Sequence, residues 1–143
     1  SLALRRSGSM VIPNSADLMH WEIGDHGFAM GLSPLVPETV GAALLPWLRD
    51  WLKEQAIELE AVTSWAVHPG GPKILSTCSE VLSLDPNRLL DSRAVLQDHG
   101  NMSSATILFI LERLWRQECS GPCVALAFGP GLSAEVALFA RQG

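Results

Sequence analysis

His68 is the residue whose position most suggests chemistry. It follows Val62-Thr63-Ser64-Trp65-Ala66-Val67 and opens the stretch His68-Pro69-Gly70-Gly71-Pro72. The first run is short, apolar and rich in β-branched residues, which favours a buried strand. Ile74, Leu75, Cys78, Val81 and Leu82 then recur at helical spacing. The order strand, tight turn, helix puts His68 at the carboxyl end of a strand, where open α/β sheets bind ligands. Gly70 and Gly71 let the backbone adopt unusual conformations or approach a ligand closely. Pro69 and Pro72 restrict the turn, and Pro72 suits the first turn of a helix. The five residues also read as an ordinary turn with a surface histidine.

Other groups offer less. Asp25 and His26 share a Gly24-Asp25-His26-Gly27 loop that reads as a site or as a solvated turn. Cys78, Cys119 and Cys123 are odd in number and lack zinc-ligand spacing, so no metal is expected. They read as reduced, mostly core thiols of a cytoplasmic protein.

The elements that position these groups alternate. Ser1–Ile12 reads as a strand, and Leu18–Ile23 with Phe28–Leu32 as a β-hairpin. Met19, Trp21 and Phe28 could line a pocket or simply pack on a core. From Pro37, the residues Val40, Leu44, Trp47, Leu48, Trp51 and Leu52 share one helical face. Pro46 lies inside that pattern and predicts a kink near Ala42, or two helices meeting there. Asp85 with Pro86 starts a short helix. Ser92–Leu96 reads as extended, and Asp98-His99-Gly100-Asn101 as a break. A helix over Met102–Gln117 should bury Ile107, Leu108, Leu111, Leu114 and Trp115. Its first turn carries the small residues Ser103, Ser104 and Ala105, so it could come close to backbone or ligand. Cys123–Phe128 is a wholly apolar strand, implying burial on both faces. Gly129-Pro130-Gly131 is a sharp turn, and Leu132–Ala140 returns as a strand. The class is α/β.

The totals fit one domain. The chain has 143 residues, 48% of them apolar and 17% charged, enough for a core and too few charges for disorder. Net charge is −5 and no Lys/Arg cluster exceeds a pair, which argues against nucleic acid as the main partner. No apolar run is long enough for a membrane span, and no signal-type stretch follows Arg5 and Arg6. The abrupt, strand-like start suggests a piece of a longer protein.

Three motifs stand in order: His68-Pro-Gly-Gly-Pro72, Gly100-Asn-Met-Ser-Ser-Ala105 and Phe128-Gly-Pro-Gly-Leu132, with Glu135 following. Together they resemble the carboxyl-terminal half of type III polyketide synthases, the chalcone synthase-like enzymes of the thiolase fold. Trp21-Glu-Ile-Gly-Asp-His-Gly-Phe28 looks like the bacterial branch, which includes alkylpyrone and alkylresorcinol synthases. Initiating ketoacyl synthases share the fold, a His and an Asn. Their His is typically followed by Gln-Ala-Asn, so they rank second.

The resemblance implies a thiolase-like half-domain over residues 1–143, a mixed sheet with helices on its faces. It implies one helix buried between two halves of a complete enzyme, and the helix from Met102, apolar over much of its surface and opening with small residues, is the candidate. It also implies decarboxylative condensation of malonyl-CoA with an acyl-CoA starter, no other cofactor, and a homodimer. His68 and Asn101 match the histidine and asparagine of a Cys-His-Asn triad. A histidine can hold a cysteine as thiolate. His and Asn N–H groups aimed at one thioester oxygen form an oxyanion hole. Phe28 aligns loosely with an aromatic lining the acyl or cyclisation pocket. Gly70 and Gly71 belong to the substrate-binding turn. Lys73 falls where relatives contact the pantetheine arm, or faces solvent. Gly129, Pro130 and Gly131 would shape the cavity floor. The nucleophilic cysteine belongs to an amino-terminal half that this sequence does not contain. Cys78, Cys119 and Cys123 do not match its position. The contrasting expectation is a non-catalytic half-domain that binds an acyl ligand or partner. The upstream coding sequence would separate the two.

Overall fold

A computed structural model describes residues 2–118 and 120–141. Its framework is a four-stranded mixed sheet in the order β1-β6-β5-β4. These strands are β1 (Leu2–Val11), β4 (Ser64–Val67), β5 (Cys123–Gly129) and β6 (Ser133–Arg141). β4 and β5 run parallel, with Val67 beside Leu126. β6 is antiparallel to both β5 and β1. The remaining strands, β2 (Met19–Gly24) and β3 (Gly27–Leu32), form a separate hairpin.

Four helices cover the sheet: α1 (Val36–Glu54), α2 (Pro72–Val81), α3 (Leu90–His99) and α4 (Ala105–Arg116). Alternation along the central strands assigns the layers. Trp65, Val67, Val124 and Leu126 join Leu44, Leu48, Leu75 and Cys78 from α1 and α2 in one core. Ala66, Cys123 and Ala125 join Val95, Ile110 and Leu114 from α3 and α4 in the other. β4 and the first half of β5 are therefore buried on both faces, as their unbroken apolar runs require.

Three expectations about the helices change. Of the two alternatives at Pro46, that of two helices falls, because α1 runs as one helix through it. Val40, Leu44, Leu48 and Leu52 form an uninterrupted buried stripe that holds it together. Pro46 and Ala42 lie on the exposed side, so the carbonyl left without a donor can be hydrated. Residues 92–96 are helical, within α3, not extended. Their buried contacts, Ser92 and Val95, are too few to give a readable period. α4 buries Thr106, Ile110 and Leu114, with Ile107 and Leu111 half-buried against the same core. Leu108 and Trp115 instead stand 64% and 48% exposed. A helix packed on a sheet by a single i, i+4, i+8 stripe leaves its flanking apolar residues uncovered.

Candidate active site

His68 sits one residue beyond β4, and its backbone N–H continues the ladder to the Leu126 carbonyl at 2.8 Å. Pro69 is buried, and Gly70 N–H turns back to the His68 carbonyl at 3.1 Å. Gly71 is fully extended and Pro72 begins α2. Neither Gly70 nor Gly71 has a positive φ, so this backbone does not demand glycine. A Cβ on either would meet nothing within 4 Å. Close approach by a ligand remains the role open to them. Lys73 is exposed in the first turn of α2.

Burial lowers the His68 pKa below its ordinary 6.5, because desolvation disfavours the imidazolium. The ring is therefore neutral at pH 7, with one nitrogen donating and one accepting.

Asn101 lies between α3 and α4 in a loop built to hold it. Its Oδ1 accepts from Ser103 N–H at 2.9 Å, and its Nδ2 lies 3.5 Å from the Gly70 carbonyl oxygen. Gly100 at φ 70° and Ser103 at φ 59° turn the chain sharply on either side. The Thr106 hydroxyl, fully buried, accepts from Met102 N–H at 2.9 Å. These turns explain why α4 starts at Ala105, later than periodicity predicts. His68 and Asn101 are 33 residues apart in sequence, yet their loops meet at Gly70.

Gly129-Pro130-Gly131 lies at the same end of the sheet, because β5 is parallel to β4. Gly131 has φ 141°, and a Cβ there would come within 3.1 Å of the Ser133 nitrogen, so glycine is required. Ser15, 2% exposed, anchors this turn. Its hydroxyl accepts from Leu132 N–H at 2.8 Å and donates to the Ile12 carbonyl at 2.6 Å.

Phe28 is elsewhere, on β3 of the hairpin and 70% exposed. It packs edge-on against Trp21, with ring centroids 6.5 Å apart. Register puts Trp21, Ile23, Phe28, Met30 and Leu32 on one apolar, exposed hairpin face. The structure thus gathers His68, Gly70, Asn101 and the Gly129–Gly131 turn at one sheet end, and leaves Phe28 on a separate surface.

Burial pushes the Cys78 thiol up to about 12, so it is not a thiolate at neutral pH. Cys123 is buried in β5, and Cys119 lies outside the described residues. Among the described residues, no group of three His, Cys, Asp or Glu side chains could hold a metal. No helix there is long and apolar enough to cross a membrane.

Sequence reasoning missed three buried hydroxyls: Ser15 behind the Gly129 turn, Thr106 behind the Asn101 loop, and Ser92 behind β4. Ser92 Oγ accepts from Val67 N–H at 3.1 Å. Each stands among other polar residues in sequence, Ser15 after Asn14, Ser92 between Asp91 and Arg93 and Thr106 after Ser103 and Ser104, so nothing local singles it out.

A mixed α/β sheet with helices on both faces, and a His loop and an Asn loop at one end, defines a thiolase-like half-domain. The chalcone and stilbene synthase C-terminal domain model matches residues 3–141, and the chain belongs to that family. It is 35% identical to 1,3,6,8-tetrahydroxynaphthalene synthase of Streptomyces coelicolor over 94% of this chain and 37% of that protein. The crystal structure of that bacterial type III polyketide synthase superposes with a TM-score of 0.91 at 34% identity, covering 99% of this chain and 41% of the other. An alpha-pyrone synthesis polyketide synthase-like protein of Mycobacterium tuberculosis is 30% identical over 96% of this chain and 36% of its own length. The chain therefore spans less than half the length of these relatives.

Proposed function

We propose that residues 1–143 act as the carboxyl-terminal domain of a type III polyketide synthase, a cytoplasmic homodimer. It would join malonyl-CoA to an acyl-CoA starter, with no further cofactor, giving an alkylpyrone, alkylresorcinol or chalcone-type product. The observation that carries this reading is the meeting of the Asn101 amide with Gly70, two residues beyond His68. With Oδ1 held by Ser103, the nitrogen end of the Asn101 amide is directed toward the His68 loop. One of its two N–H groups suffices for Gly70, leaving the other to donate.

In the proposed reaction, a cysteine thiolate from an amino-terminal half attacks the starter thioester and expels CoA thiolate. Malonyl-CoA then loses CO2, and the electron pair of the broken C–C bond forms a thioester enolate. N–H groups of His68 and Asn101 stabilise the negative oxygen. The enolate carbon attacks the cysteine-bound acyl group, a C–C bond forms, and the cysteine thiolate leaves. Gly70, Gly71 and the Gly129–Gly131 turn would border the acyl chain. Lys73 would meet the pantetheine arm, whereas Phe28, exposed on the separate hairpin, takes no part in this chain's share of the cavity.

The test is CO2 release and product formation from malonyl-CoA by the product of the complete reading frame. Activity that disappears in both His68→Ala and Asn101→Ala supports the reading. An upstream region with no nucleophilic cysteine, or decarboxylation that survives both substitutions, refutes it.

A further inference from the structure

We propose that Ser92 is a positioning residue for His68, its buried hydroxyl fixing the end of β4 from which the histidine projects. This rests on the catalytic reading of His68 given above. β4 is the edge strand of the sheet. Successive N–H groups along a strand point alternately to its two sides. The His68 N–H points inward to Leu126. The Val67 N–H therefore points outward, where no further strand lies. Val67 is fully buried, so water cannot supply the missing acceptor. Ser92 Oγ supplies it at 3.1 Å, from a side chain that is itself fully buried on α3.

Two consecutive backbone groups at the root of His68 are thus held from opposite sides, one by α3 and one by β5. The anchor is itself anchored. Asp91, next to Ser92, accepts from Arg113 at 3.2 Å and Gln117 at 2.8 Å, tying α3 to α4 and the residue that follows it. α3 also leads directly into Gly100 and Asn101. One helix therefore fixes the start of both loops that meet at Gly70. Among the described residues no side-chain hydrogen bond reaches the His68 imidazole, so at this residue it is the backbone carrying the ring that hydrogen bonding holds.

The experiment compares Ser92→Ala, Ser92→Cys and Ser92→Thr. Alanine removes the acceptor, cysteine keeps the approximate size with a weak acceptor, and threonine keeps the oxygen. In the 143-residue chain, the His68 imidazole is titrated by NMR. Alanine and cysteine should raise its midpoint toward 6.5, because a loosened strand end admits water, whereas threonine should keep the original curve. In the product of the complete reading frame, alanine should lower kcat for malonyl-CoA decarboxylation about tenfold, with KM moved far less. Threonine should restore kcat.

Lower thermal stability with an unchanged His68 titration and unchanged kcat would mean a purely structural hydroxyl and overturn the proposal. Should Ser92→Ala fail to fold, the same two readouts on Ser92→Cys decide. If His68→Ala abolishes decarboxylation while the Ser92 variants behave as the parent, only the Ser92 proposal falls. If His68→Ala leaves decarboxylation intact, the catalytic reading itself falls, and the positioning role with it.

Discussion

The amide nitrogen of Asn101 lies 3.5 Å from the carbonyl oxygen of Gly70, across 31 residues of sequence. The oxygen of the same amide is taken by Ser103 N–H at 2.9 Å. Asparagine cannot serve as a base here, but it can donate. Asn101→Ala should lower malonyl-CoA decarboxylation on the order of 10²-fold. Acyl loading should change much less. Parallel assays of CO2 release and acyl-enzyme mass check this. An equal loss in both would show that the substitution only disrupts the His68 loop.

In the proposed reaction the histidine serves both thiolate and enolate, so His68→Ala should damage acyl loading and decarboxylation together. Its lowered pKa also predicts a pH dependence of stability. The unfolded chain takes up the proton near 6.5, and the folded chain only at lower pH. As pH falls below 6.5, the unfolded state binds more protons and folding stability declines. The decline from this group ends once pH passes below the folded-state pKa. Urea midpoints between pH 7.5 and 5.5 should fall less steeply in His68→Gln than in the parent, and identical slopes would contradict this.

Cys78 should resist alkylation in the native protein. Its thiol is fully buried and raised to about 12, so almost no thiolate exists at pH 8. Mass spectrometry of peptides after iodoacetamide treatment should find Cys78 unmodified until urea is added. Rapid native labelling would count against its burial and would reopen it as a nucleophile.

Ser15→Ala should cost about 1–3 kcal/mol, because it leaves the buried Leu132 N–H without its acceptor. The effect is read from the midpoint of urea denaturation. Ser15→Thr, which keeps the oxygen, should recover part of the loss if the added methyl is accommodated.

The chain should self-associate. Leu108 and Trp115 on α4, and Trp21, Ile23 and Phe28 on the hairpin, are all at least 48% exposed. Apolar patches of this kind mark surfaces that meet a partner. Sedimentation velocity should show concentration-dependent association, weakened in Leu108→Lys and Ile23→Lys. A clean monomer over a wide concentration range would refute it.

The amino-acid sequence by itself determined the local frame of this protein. β-branched and apolar residues before His68 made β4, and Pro72 opened α2. Asp85 accepts from Asn87 N–H at 2.9 Å, the cap its position before Pro86 announced. The apolar run from Cys123 gave a strand buried on both faces. Each of these follows from periodicity or turn chemistry within a few residues. Tertiary structure alone decided the rest. It made residues 92–96 helical, turned Leu108 and Trp115 outward, and brought Asn101 to Gly70. It also gave Ser92 its partner 25 residues away and Ser15 its partner 117 residues away. A hydroxyl group bonds whichever backbone group packing leaves unpaired. No window of sequence can name that group before the sheet and its helices have assembled.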